Sequence, residues 1–102
     1  MNAFVTEKRD ALVALCREHH VERLELFGSG AGGGFAPDRS DLDFLVVFQP
    51  CTPEEHAKRY FALLAALQDL FARQIDLVEI KAVQNPYFLQ NIEDSRALVY
   101  AA

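Results

Sequence analysis

Residues Leu26 to Phe48 read "LFGSGAGGGFAPDRSDLDFLVVF", and this stretch holds all five glycines of the 102-residue chain. It also sets Asp38, Asp41 and Asp43 within six positions, the last two at the head of an apolar run. Glycine loses more backbone freedom on folding than any other residue, so five together point to a backbone that must approach something closely. A carboxylate among buried apolar side chains costs free energy unless a charge or a donor meets it. Loop and acids therefore raise one question: what lies between a glycine-rich turn and a strand that begins "DLD"?

The flanking segments supply the frame. "FVTEKRDALVALCREHH", Phe4 to His20, predicts an amphipathic helix with Leu12, Leu15 and Cys16 on one stripe. "RLELF" alternates polar and apolar residues from Arg23 to Leu26, as a half-buried strand does. "DLDFLVVF" from Asp41 is a second strand. Thr52-Pro53-Glu54-Glu55 marks a helix start, with Thr52 as cap, Pro53 at the first position and Glu55 completing a capping box. That helix runs to about Ala72 and carries Phe61, Leu64, Leu67, Leu70 and Phe71 as a wide apolar face. "QIDLVEI", Gln74 to Ile80, is a third strand. Asn85-Pro86 opens a short helix through about Asp94, and "ALVY" closes the chain as a short strand. This order predicts an α+β fold: a small mixed sheet with helices packed mainly on one face, in a single domain over residues 1–102.

Two familiar phosphate-binding loops do not fit. A P-loop needs Gly-x4-Gly-Lys-Ser/Thr, but Gly33 is followed by Gly34 and Phe35. Gly28, Gly30 and Gly33 match G-x-G-x-x-G in form, yet that motif must open a helix, and "GFAPDRSD" leads through Pro37 into another strand. The loop and the acids fit better taken together. Residues two apart on a strand share a face, about 6.6 Å apart along it. Asp41 and Asp43 thus project side by side with Leu45 and Val47, while Phe44, Val46 and Phe48 face the other way. Carboxylates this close repel unless a cation lies between them. Hard oxygen ligands of this kind suit magnesium, which shares its shell with substrate phosphates. Asp76, another acid inside a strand, completes a two-metal cluster if the third strand lies beside the second. Asp38 reads as a turn former. The spacing of Asp38, Asp41 and Asp43 departs from that of an EF-hand, which excludes calcium of that kind.

Gly28-Ser29, a short loop, and then Ser40-Asp41-Leu42-Asp43 resemble the signature of the DNA polymerase beta-like nucleotidyltransferases. The chain is most similar to the minimal nucleotidyltransferases (MNT), many of which are the antitoxin halves of HEPN/MNT toxin–antitoxin pairs. The resemblance extends over nearly the whole chain, including the acid in the third strand and the ending "NPYFLQNI…LVY". It implies that Gly28 and Ser29 grip a triphosphate and that Asp41 and Asp43 bind metal. It implies too that Asp76 is the third carboxylate, helping to hold the catalytic metal and to activate an acceptor hydroxyl. The reaction implied is magnesium-dependent transfer of AMP from ATP to a hydroxyl of a partner protein, a HEPN toxin, with release of pyrophosphate. One departure stands out. Gly30 and Gly32 occupy positions where the family commonly has a bulky residue and an arginine. A non-catalytic module that silences its partner by contact is therefore the alternative, and a dinucleotide-binding fragment a third.

Composition narrows the remaining classes. A net charge of −5 argues against a broad nucleic-acid backbone face. No apolar run reaches membrane-spanning length and the N-terminus lacks a signal core, so a cytoplasmic protein without membrane contact is expected. Cys16 and Cys51 match no metal or redox spacing and read as free thiols. His19 and His20 point about 100° apart and read as helix-end residues rather than a metal pair. His56 reads as a solvated side chain. Phe61, Leu64, Leu67 and Phe71 read as core, and Tyr87 and Phe88 either cover an apolar edge or meet a partner.

Overall fold

The computed structural model describes residues 3–28, 41–80, 85–87, 90 and 96–102. Two helices, α1 (Ala3–Thr6) and α2 (Arg9–Glu18), lead into β1 (Val21–Phe27) and β2 (Leu42–Phe48). The long α3 (Pro53–Phe71) follows, then β3 (Ile75–Glu79) and β4 (Ala97–Ala101). The leading helix expected from Phe4 to His20 is thus two helices. The Lys8 amide donates to the Val5 carbonyl at 3.1 Å, an i→i+3 turn that tightens the chain between them. His19 caps α2 and His20 takes a left-handed φ of 58°, which places both at the helix end as expected.

The strands form one mixed sheet in the order β3-β2-β1-β4. β1 pairs antiparallel with both β2 and β4, whereas β2 and β3 run parallel. The parallel pair is possible because α3 supplies the long crossover that such strands require. Its start is built as the sequence indicates. The Glu55 amide donates to Thr52 Oγ1 at 3.2 Å, and the Thr52 amide donates back to Glu55 Oε2 at 3.3 Å.

Val5, Leu12 and Cys16 from the leading helices and Leu63, Leu67 and Phe71 from α3 are buried in one cluster. They pack on Leu24, Leu26, Phe44, Val46 and Leu77, so the helices cover one face of the sheet. Burial pushes the Cys16 thiol up to about 12. The phase of α3 corrects one expectation: Phe61 is 65% exposed and Leu64 only partly buried, while Leu63 is fully buried. At about 100° per residue Phe61 lies some 120° around the helix from Leu67, off the stripe that meets the sheet. The helix expected at Asn85-Pro86 lies mostly outside the described residues, although Pro86 and Tyr87 are helical. There the Tyr87 amide donates to Asn85 Oδ1 at 2.9 Å.

Candidate active site

The sheet's second face carries the acids. Leu42 and Phe44 are fully buried toward the helices, which turns the intervening Asp43 to the opposite side. β3 lies beside β2 as anticipated, and its register sets Asp76 directly across from Asp43. Adjacent strands lie about 4.8 Å apart, so these two carboxylates share a face as immediate neighbours. Asp41, exposed, stands just before β2. The Asp43 carboxyl is held above its usual range, first by burial and then by the charges of Asp76 and Asp41. Folding has concentrated negative charge where the side chain is half-buried, an arrangement that calls for a cation.

The end of β1 closes the other side of Asp43. Phe27 pairs with Asp43 across the antiparallel ladder, and the chain then turns at Gly28 with φ of +70°. A Cβ at Gly28 would lie 2.7 Å from Asp43 Oδ2. The glycine is therefore needed twice, for its left-handed backbone and because bare backbone abuts a carboxylate. Ser29, the other expected phosphate-gripping residue, lies outside the described residues, as do Gly30, Gly32, Asp38 and Arg39.

The fit to magnesium rests on this donor set. Magnesium takes one or two carboxylates and completes its shell with water and substrate phosphate. Asp43 and Asp76, paired in register with Gly28 against Asp43, match that requirement. Among the described residues no group of three His, Cys, Asp or Glu side chains is already gathered to hold one ion. Asp41 shares the edge and the electrostatics without closing a cage.

A second charged group on this face escaped the sequence reading. Glu25 is only 6% exposed although its strand looked half-solvated. Arg96 grips it with two bonds, Nε to Oε2 at 3.0 Å and Nη2 to Oε1 at 2.7 Å. Arg23 Nε adds a third at 3.1 Å. The Arg96 bonds hold the Glu25 carboxyl below its ordinary value, and the Arg23 bond adds to the effect against the cost of burial. Strand alternation puts Arg23 and Glu25 on one face, which was a readable signal. Arg96 lies 71 residues away, and no local pattern joins it to Glu25.

His56 is not merely solvated. Its Nε2 pairs with Glu79 Oε1, and its ring packs edge-on to Phe48 at 5.4 Å. Together with Pro50 and Cys51 these residues line a cavity of about 480 Å³ at the far end of β2. Asp41, Asp43, Asp76 and Gly28 are not among the residues that line that cavity, so the acid row is the better candidate for chemistry.

Known proteins share this sequence pattern and fold. The sequence model of the nucleotidyltransferase domain matches residues 8–99, from α2 through β4. The chain belongs to the nucleotidyltransferase family. Among curated relatives of this nucleotidyltransferase are two proteins of Methanocaldococcus jannaschii, both named as proposed protein adenylyltransferases. One is 35% identical over 84% of this chain and 82% of its own length, the other 30% identical over 81% and 79%. A solved structure described as a minimal nucleotidyltransferase is 30% identical, covering 91% of this chain and 90% of that one, with a TM-score of 0.64. The fold also recurs, at 16% identity and a TM-score of 0.59, in a complex described as a tri-AMPylated Shewanella oneidensis HEPN toxin with its MNT antitoxin. That match covers 95% of this chain and 72% of the other.

Proposed function

We propose that this nucleotidyltransferase moves AMP from ATP, with magnesium, to a hydroxyl of a partner protein, and that the partner is a HEPN-domain toxin. The observation that carries the reading is the in-register pair Asp43 and Asp76, set against the bare backbone of Gly28. Asp41, Asp43 and Asp76 would hold the metal, and the backbone at Gly28 and Ser29 would meet the triphosphate. Bound magnesium would neutralise charge on the α-phosphate and the departing pyrophosphate. The acceptor oxygen bonds to the α-phosphorus as the bond from that phosphorus to its bridging oxygen breaks. The hydroxyl proton passes to the exposed Asp76 carboxylate. Positioning of the two reactants and neutralisation of charge supply most of the rate.

The partner assignment is supported by the names of the curated relatives and by the toxin complex that shares the fold. Among the described residues no helix is long and apolar enough to cross a membrane. A second reading is a contact-only antitoxin, favoured by a loop without lysine or arginine from Gly28 to Asp38. Incubating the protein with magnesium, host lysate and ATP labelled at the α- or the γ-phosphate separates the two. Transfer of α-label alone to one protein band, lost in Asp43→Asn, is expected. Absence of both labels from a partner that still binds would overturn transfer in favour of contact.

A further inference from the structure

Among the described residues β3, which carries Asp76, is joined to the sheet on one side only, by β2. The Leu42 amide donates to the Gln74 carbonyl at 3.5 Å, which sets the phase of that ladder. Backbone groups alternate along a strand, so those of Gln74, Asp76 and Val78 face β2 and those of Leu77 face the outer edge. Asp43 and Asp76 stand opposite each other across this single ladder, and the charge of Asp76 already opposes ionisation of Asp43. Without a cation between them, that repulsion acts to part β3 from β2.

The near end of β3 is held by the short connection from α3, Ala72 to Gln74. α3 also holds the far end, from the face opposite the acids. The Tyr60 hydroxyl donates to the Leu77 carbonyl at 2.6 Å, one residue beyond Asp76 and on the outer edge. Tyr60 packs against the main core cluster, which anchors its ring. Burial, and then the charges of Glu79 and Asp76, hold the Tyr60 hydroxyl above its ordinary value, so it keeps its proton to donate at neutral pH. His56, four residues earlier and so on the same side of the helix, pairs through Nε2 with Glu79 Oε1. The His56 and Glu79 side chains keep 44% and 27% of their surface, so solvent weakens this second tie.

We infer that Tyr60, backed by His56, is a positioning residue that pins the far end of β3 so that Asp76 stays opposite Asp43 before a cation arrives. The inference rests on the metal site proposed above and adds how its carboxylates are kept ready. The two acids then meet the metal without first closing a parted strand. The cost of ordering them is met in folding rather than taken from the binding free energy.

The test titrates the intact chain with manganese, an oxygen-liganded stand-in for magnesium that is counted by electron paramagnetic resonance, without nucleotide. The parent protein binds the ion and Asp43→Asn abolishes binding. Tyr60→Phe keeps the ring and removes only the hydroxyl. It weakens manganese about threefold to tenfold, the range that one hydrogen bond supplies. Hydrogen exchange on the metal-free protein gives a second readout. In Tyr60→Phe the Asp76 and Val78 amides, which face β2, exchange faster by a similar factor, those of Leu24 and Leu26 in β1 do not, and saturating manganese restores the parent rates. His56→Ala shows the same signature more weakly, and His56→Gln, whose amide still reaches toward Glu79, recovers part of it. Leu12→Ala, a core variant in α2, lowers the melting temperature with manganese affinity unchanged. A merely structural Tyr60 would behave like that control, with faster exchange throughout the sheet and unaltered affinity, and this result overturns the inference. If Tyr60→Phe does not fold, the two His56 variants decide by the same readouts. A parent whose manganese binding is absent, or indifferent to Asp43→Asn, refutes the proposed site as well. Binding that depends on Asp43 but survives Tyr60→Phe unchanged refutes this inference alone.

Discussion

Replacing Gly28 by alanine tests the link between the loop and the acids most directly. Two costs are separable. A left-handed φ of +70° in an alanine costs about 1–2 kcal/mol. The added Cβ would lie 2.7 Å from Asp43 Oδ2, closer than real Cβ atoms come, so the carboxylate must leave its rotamer. An off-rotamer side chain adds about 0.5–1.5 kcal/mol. The total is roughly 1.5–3.5 kcal/mol, or a fall in melting temperature on the order of 10 °C for a domain of this size. In an Asp43→Ala background the nearest remaining contact is the Cβ of residue 43 at 3.9 Å, which is ordinary packing. Gly28→Ala should then cost only the backbone part. Urea denaturation of the four proteins gives the coupling energy, expected at about 0.5–1.5 kcal/mol. Gly28→Ala should also cut transfer by about a hundredfold, since a shift near 1 Å in a reacting group has that effect. An equal cost in both backgrounds, with unchanged transfer, would refute the claim that this glycine exists to make room for the carboxylate.

Asp43→Asn should abolish transfer yet stabilise the metal-free protein at neutral pH. Because the Asp43 carboxyl is raised on folding, the folded state takes up a proton, and stability declines as pH climbs above the ordinary value of 3.8. The substitution should flatten that decline in denaturant midpoints between about pH 4 and pH 7, and magnesium should offset it in the parent protein. Glu25 behaves oppositely: its carboxyl is lowered from 4.5, so its contribution is present above that value and lost as pH falls through the folded one. Glu25→Gln should lower stability at neutral pH and shrink the acid-side fall. Leu67→Ala should cost about 2–5 kcal/mol by cavity formation, whereas Phe61→Ala should stay within about 0.5 kcal/mol, as thermal melts would show.

Much of this protein was legible locally. The capping box at Thr52, the strand "DLDFLVVF" and the turning of Asp43 away from Leu42 and Phe44 follow from short-range rules, because caps and strand alternation involve residues a few positions apart. The α+β class followed from the order of such segments. The helical stripe was read one phase off at Phe61, since a wide apolar face leaves its centre undetermined until the helix docks on a sheet.

Local sequence supplies the inventory: a glycine-rich stretch, a pair of acids two residues apart and a third acid in a later strand. Which of them meet was decided by strand order and register, and these depend on contacts between distant segments that no local periodicity records. The parallel register of β2 and β3 made Asp43 and Asp76 neighbours, and the end of β1 pressed Gly28 against Asp43. The antiparallel edge β4 brought Arg96 to the buried Glu25 across 71 positions. Burial then set the electrostatics, because only a folded sheet removes the water that would otherwise screen these charges.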